Sequence, residues 1–448
     1  MRKNRLYQGL LLFVIVTSTL LIASFIPEFR LGTLTFKRIN LLEDIQQKPE
    51  VVIEKKSEKI SQPKKVTQRD TCPPGLTCLE DYTKNQTALS RFFKALRDTD
   101  KKPVRIAYFG DSFIEGDILT SSFRDTLQWL FDGQGVGYMP ITSDVAQFRK
   151  TIRHTFSNWQ TYSIVGKKNA WAPLGTPGYC FVPLANNEIA YRTPRKNNFF
   201  EKIRLFYRNS LNASLEYTLN DSITRRQDLT SSKKLEQVTL NATSVQSIKL
   251  KFSNVDSLKV YGVSFEESTG IYVDNLAMRG NSGLGLQQIS REMNAQFNSF
   301  QDYKLIILQY GLNAVNENDS LGYHWYIDRM VKVVNRLKED FPKSSILLIS
   351  VSDRGSNQGG TFKTIPSIPR MRDAQRKIAQ TCEIAFWDLY DAMGGENSMV
   401  KYVNGVPPMA SKDYTHFTFR GGKKIAKQLA DAILFERKQY ASTEKTLP

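Results

Sequence analysis

Apolar positions along the chain follow two rhythms, and each predicts a different architecture. Val104-Arg-Ile-Ala-Tyr-Phe-Gly110 is a run rich in strand formers, and Leu119, Phe123, Leu127 and Leu130 follow it at helical spacing. The same alternation returns further on. Gly270 to Leu276, Tyr303 to Tyr310, Ser345 to Val351 and Ile384 to Asp388 read as strands. Between and after them, Leu284 to Phe297, Tyr323 to Phe341, Arg370 to Cys382 and Lys423 to Phe435 read as helices. Strands alternating with helices predict an α/β fold, a three-layer doubly wound, flavodoxin-like sheet of about five parallel strands with ligands at their carboxyl ends.

The second rhythm runs from 148 to 265. Lys202 to Arg208, Leu215 to Leu219, Gln237 to Leu240, Ser247 to Phe252 and Ser257 to Tyr261 are short period-two runs between Asn, Asp and Ser turns. They predict an inserted all-β sandwich or jelly-roll module of about a hundred residues. Such an insertion is tolerated if its two ends lie close together. The α/β domain is thereby divided into 79–147 and 266–438, with a tail at 439–448. Just before the insertion, Asp132-Gly-Gln-Gly-Val-Gly-Tyr138 follows a helix rather than a strand, so it reads as a helix exit and turn, not a dinucleotide loop.

At the N-terminus, residues 9–27 form an uncharged apolar run behind Arg2, Lys3 and Arg5. That predicts a cytoplasmic tail at 1–8 and a transmembrane signal anchor at 9–27, with a cleaved signal peptide as the alternative. Either way the rest of the chain is expected outside the cytoplasm, in the periplasm or an equivalent compartment. Residues 28–78 read as a flexible linker rich in Lys, Glu, Gln and Ser, and Leu79 to Leu96 as a helix. Cys72 and Cys78 are spaced to close a small loop under oxidising conditions, and Cys180 and Cys382 read as buried thiols.

A chain of 448 residues, 41% apolar, has enough material for two cores and is not a polytopic membrane protein. Its 62 basic against 44 acidic residues give a net charge of +18. That charge favours an anionic neighbourhood such as a cell-wall polymer or membrane surface; no nucleic-acid motif accompanies it.

Candidate chemistry begins at Gly110-Asp-Ser112, where a strand runs into a helical pattern. A serine there sits near a helix N-terminus that favours a developing oxyanion; the plain alternative is that Asp111 or Ser112 only caps the helix. Three further stretches follow in order: Asn275-Leu-Ala-Met-Arg-Gly-Asn-Ser-Gly283, Gln309-Tyr-Gly-Leu-Asn313 and Asp413-Tyr-Thr-His416. Of the three histidines, His154 and His324 have weaker contexts and read as partly exposed, His154 with some chance of reaching the cleft. His416, three residues after Asp413, is the best placed general base.

Together these four pieces resemble the blocks of the SGNH (GDSL-type) serine esterases. The resemblance implies Ser112 as nucleophile, His416 as base and Asp413 as its orienting partner. It also implies oxyanion donors from the backbone N–H groups of Ser112 and Gly280 and from the Asn313 amide, with Ala314 where the family usually has aspartate. Within the family, Ser350-Val-Ser-Asp-Arg354, Ala392-Met-Gly-Gly395 and Lys412 to Thr418 are similar to bacterial peptidoglycan O-acetylesterases and their acetyltransferase relatives. Those proteins carry a carbohydrate-binding-like β-sandwich spliced into the esterase domain. The implied activity is removal of acetyl groups from an O-acetylated glycan polymer, peptidoglycan first, without metal or organic cofactor. An O-acetyltransferase with the same triad and an inactive glycan-binding wall protein are the competing readings. Asp353 and Arg354 are expected either to bind substrate or to pair with each other.

Overall fold

Six strands form the sheet that carries the α/β half: β1 (Glu80–Asp81), β2 (Val104–Gly110), β3 (Ile271–Ala277), β4 (Tyr303–Gln309), β5 (Ser345–Ile349) and β6 (Ala385–Trp387). In this computed structural model, residues 11, 14–19, 29–31, 34–36, 72–166, 172–194, 199–316 and 322–446 are described. The strand order is β3-β2-β4-β5-β6-β1. The first five strands of that order pair in parallel, and β1 adds antiparallel to β6. Apart from the edge β1, this is the predicted flavodoxin-like arrangement.

β2 is buried at every position, as a central parallel strand covered on both faces must be. Alternate side chains point to opposite faces. Val104, Ile106 and Tyr108 pack with helices α1 (Ser90–Ala95), α2 (Thr120–Phe131) and, near the C-terminus, Phe419–Thr446, through Phe92, Phe123, Leu127, Ile425 and Leu429. Ala107 and Phe109 pack with α3 (Arg291–Gln301), α4 (His324–Asp340) and α5 (Ser367–Cys382) through Phe297, Val333, Val334 and Ile378. Two short helices, α6 (Leu389–Met393) and α7 (Ser398–Asn404), precede the long C-terminal α8 (Phe419–Thr446). Burying each large apolar side chain contributes about 1.5–3 kcal/mol, which is why the sheet's two faces dominate the fold.

The all-β insertion starts earlier than predicted, at Gly137–Met139, and runs to Lys259–Glu266. Its nine strands join in one hydrogen-bonded network and enclose their own core around Phe181, Leu205, Leu215, Leu250 and Val263. Tyr138, Tyr162, Cys180, Phe206 and Tyr261 instead face the α/β half and share a core with Phe109, Phe297 and Tyr303. The ends of the insertion do lie side by side, since Gly137, Tyr138 and Met139 pair antiparallel with Phe265, Ser264 and Val263. At this neck a Cβ on Gly270 would lie 2.4 Å from the Gly133 Cα, and both glycines have positive φ, +89° and +110°. The glycines of the 132–138 stretch are thus needed for two backbones to touch.

Several predicted boundaries are corrected. Leu79 to Leu96 is helical only from Ser90, because the Asp81 carboxylate accepts from the N–H and hydroxyl of Thr83 and from the Ala88 N–H, holding a turn instead. Leu284 to Phe297 is broken: a 3-10 turn covers Leu284–Gln288, and Ser290 then caps α3 by accepting from the Met293 N–H. Cys72 and Cys78 are disulfide-bonded, and the loop docks on β6 through the Trp387 indole N–H to the Thr77 carbonyl, 2.9 Å. Cys180 and Cys382 are buried free thiols.

The chain divides into two units, Met1–Lys65 and Val66–Pro448. In the first, Phe29–Leu31 pairs antiparallel with Leu34–Phe36. The predicted anchor at 9–27 lies largely outside the described residues; among those described, no helix is long and apolar enough to cross a membrane.

Candidate active site

The carboxyl ends of β2, β3 and β4 deliver the predicted residues to one edge of the sheet. β2 stops at Gly110, where a Cβ would lie 2.7 Å from the Ile114 side chain, so the chain turns sharply into Asp111 and Ser112. Asp111 holds that turn through its carboxylate, which accepts from the Phe113 N–H at 2.9 Å. The helix expected from the pattern at Leu119 does begin at Thr120, but a 3-10 turn at Glu115–Asp117 separates its N-terminus from Ser112. Ser112 therefore gains nothing from a helix dipole, and neither it nor Asp111 caps α2.

Asp413 and His416 sit on the loop between α7 and α8. His416 Nε2 lies 3.0 Å from Ser112 Oγ, and His416 Nδ1 lies 2.7 Å from Asp413 Oδ2. These partners fix the tautomer: Nδ1–H donates to the carboxylate and Nε2 is left to accept from the serine hydroxyl. The other Asp413 oxygen accepts from the N–H groups of Thr415 and His416, each at 3.0 Å. Burial alone would raise the Asp413 carboxyl, but the hydrogen bonds from His416 and Thr415 outweigh it and hold the group below its ordinary range.

The loop is braced by an element that sequence reasoning missed, a hairpin of Gly355–Gln358 and Thr361–Thr364. Its Gly355 N–H donates to the Tyr414 carbonyl at 3.0 Å, and Phe362 stacks on Tyr414 with ring centres 3.7 Å apart. Tyr414 has φ of +52°, so the Asp413–His416 turn is strained where the hairpin grips it. Asp353 anchors the hairpin base: buried, it accepts from the Thr364 hydroxyl and the Met399 N–H, both at 2.8 Å. That corrects the ion pair expected for Asp353, which meets the backbone N–H of Arg354 and not its guanidinium.

Of the three predicted oxyanion donors, two are open. Among the described residues, neither the Ser112 nor the Gly280 N–H has a protein acceptor; Gly280, just beyond β3, has φ of +75°. The Asn313 amide is differently placed. Its Nδ2 donates to Asp111 Oδ2 at 2.8 Å and to the Asn281 carbonyl at 3.2 Å.

His154 is corrected from partly exposed to buried. Its Nε2 bonds the Ile141 carbonyl at 2.9 Å, it stacks on Tyr191, and burial pushes its pKa down to about 4. It is a neutral histidine of the insertion core, whereas His324 stays exposed at the start of α4. No cluster of His, Cys, Asp or Glu suited to a metal occurs among the described residues.

Beside Gly280 a cavity of about 530 Å³ opens between the two halves of the molecule, lined by Glu115 and Arg279 on one side and Ser143, Thr161 and Tyr179 on the other. Glu115 pairs with Arg279 at 2.7 Å. Beneath it, fully buried Asp117 accepts from Arg124, Arg149, Thr151 and Asn275. Burial raises that carboxyl, but the two guanidiniums prevail and keep it far below the ordinary carboxylate range.

No protein-family model matches the chain, and no curated protein matches it by sequence. Among solved structures, it is similar to a peptidoglycan O-acetylesterase over 81% of this chain and 99% of that one, at 21% identity and a TM-score of 0.67. An acetyl xylan esterase is matched over 36% of this chain and 81% of that one, at 16% identity and a TM-score of 0.29.

Proposed function

We propose, for a chain that has the fold of the SGNH esterases, that it is an exported serine esterase removing O-acetyl groups from a cell-wall glycan, peptidoglycan first. The observation that carries this reading is the unbroken line from Ser112 Oγ to His416 Nε2 at 3.0 Å and from His416 Nδ1 to Asp413 at 2.7 Å. His416 takes the hydroxyl proton as Ser112 Oγ attacks the acetyl carbonyl. The Ser112 and Gly280 N–H groups receive the oxyanion, a single such donor being worth about 3 kcal/mol. Collapse expels the sugar oxygen, which His416 protonates, and water then repeats the sequence on the acetyl-serine.

Glycan as substrate is supported by the cavity beside Gly280 and by the similarity to a peptidoglycan O-acetylesterase. The insertion we read as a carbohydrate-binding-like sandwich module. Export rests on the apolar run at 9–27, taken as a membrane anchor, and agrees with a disulfide at Cys72–Cys78, since such bonds persist in oxidising compartments. The test is acetate release from a small acetyl ester and from O-acetylated peptidoglycan, beside Ser112→Ala and His416→Ala. Wild type should release acetate from both, and each variant should lose about 10³-fold or more. A wild type that releases none sinks the proposal, and transfer of the acetyl group to an oligosaccharide in place of free acetate would make the chain a transferase.

A further inference from the structure

An amide nitrogen has two protons, and in this site both Asn313 protons are committed. One goes to Asp111 Oδ2 at 2.8 Å and the other to the Asn281 carbonyl at 3.2 Å. The three residues come from three loops, at the carboxyl ends of β2, β3 and β4. Asp111 immediately precedes the nucleophile, and Asn281 immediately follows the open N–H of Gly280. Asp111 is 2% exposed, and its second oxygen is held by the Phe113 N–H, so the carboxylate has one fixed place.

We propose that Asp111 is the positioning residue of the oxyanion hole: its carboxylate fixes the Asn313 amide, and through the Asn281 carbonyl that amide sets the Gly280 loop against the nucleophile turn. The shorter, charge-assisted bond to Asp111 persists through the reaction. The longer bond to Asn281 is the one that yields a proton to the oxyanion. This rests on the esterase reading above and adds to it a residue with no contact to substrate.

Asp111→Asn keeps an acceptor of the same shape, whereas Asp111→Ala removes it. In hydrolysis of a small acetyl ester by the full chain, Asp111→Ala should lower kcat about 100-fold with KM within about twofold, the loss of roughly one oxyanion donor. Asp111→Asn should recover most of that loss.

A second readout does not depend on turnover. Burial pushes the Asp111 carboxyl up to about 6, against the hydrogen bonds from Phe113 and Asn313 and the nearby His416. The other titratable groups that sense Asp111 are Tyr310 and Tyr326, which burial keeps neutral. In a His416→Ala background, which removes one lowering influence, the Asn313 side-chain amide resonances, identified by their loss in Asn313→Ala, should therefore shift with a midpoint at or above about pH 6. That titration should vanish in Asp111→Asn. Asn313 resonances that ignore both Asp111 substitutions, or an Asp111→Ala enzyme with unchanged kcat, would overturn the inference. If wild type hydrolyses no ester the functional reading falls, and the resonances alone decide the positioning role.

Discussion

Carboxylates paired with cationic or basic groups occur both at the catalytic end and along the seam between the sheet and its insertion, yet the two regions are built in opposite ways. At the catalytic end the Asp413 side chain is 49% exposed and that of His416 is 32% exposed, and the pair hangs on one loop. Along the seam Glu266 is fully buried between Arg105 of β2 and Arg204 of the insertion, the latter at 2.9 Å. Arg204 also donates to the Gln301 side chain and the Phe300 carbonyl, each at 2.7 Å. Burial would raise the Glu266 carboxyl, but Arg105 and Arg204 bring it down to about 2. Exposed pairs add little stability, whereas a buried charge is intolerable without its partners. The molecule therefore concentrates rigidity where the halves join and keeps its chemistry at an accessible edge.

The largest expected effect separates chemistry from stability. Asp413→Asn should cost about 10³ to 10⁴ in kcat by losing the tautomer that aims Nε2 at Ser112, while urea denaturation stays unchanged. A comparable loss of stability would show that the catalytic loop is structural after all. At the seam the pattern should invert: Glu266→Gln leaves two guanidiniums without their anion and should cost about 3–5 kcal/mol in urea, with small-ester turnover per folded molecule preserved. Because the folded carboxyl is depressed from 4.5 to about 2, its stabilisation is complete above about pH 4.5 and fades as the pH falls toward 2. The difference between wild type and Glu266→Gln should narrow in that window. Asp111 works in the other direction, its raised pKa adding stability below about pH 4 that is lost as the pH rises through about 6. The smallest effect sharpens the boundary between the regions. Phe362→Ala removes the ring stacked on Tyr414 and should lower kcat about three- to tenfold at constant KM, an effect of about 1 kcal/mol. If KM changes instead, Phe362 contacts substrate.

Much of the candidate site was legible because it is local. Ser112, Gly280 and Asn313 each fall at or just beyond a strand end that apolar periodicity already marked, and Asp413 and His416 stand three residues apart just ahead of the last helix. The flavodoxin-like order followed from regular alternation of strand and helix. What escaped depends on contacts between distant residues. The hairpin at 355–364 reads as Gly, Ser, Asn and Gln with no apolar alternation, and its purpose emerges only from its contacts with Tyr414, the Phe362 ring stack and the Gly355 N–H bond. Burial of His154 is decided by Tyr191 and the Ile141 carbonyl, brought to it by pairing within the insertion. Nor could periodicity show that both Asn313 protons have acceptors, since those belong to two other loops. The separation of Ser112 from the N-terminus of α2 follows from Gly116, whose φ of +71° interrupts the turn between them.

The neck through which the insertion leaves and rejoins the sheet also bears on how such a chain could have been assembled. Three rungs, Gly137 with Phe265, Tyr138 with Ser264 and Met139 with Val263, close behind Gly133 and Gly270. Everything beyond them is topologically a cassette, and a recombination event that kept those rungs would leave the parent sheet threaded as before. Yet Tyr162, Cys180 and Phe206 lie in the same core as Phe297 and Tyr303, and Arg105 of β2 grips Glu266 across the join. Ancestry could have added the cassette in one step, but it can now be exchanged only for another that presents the same footprint.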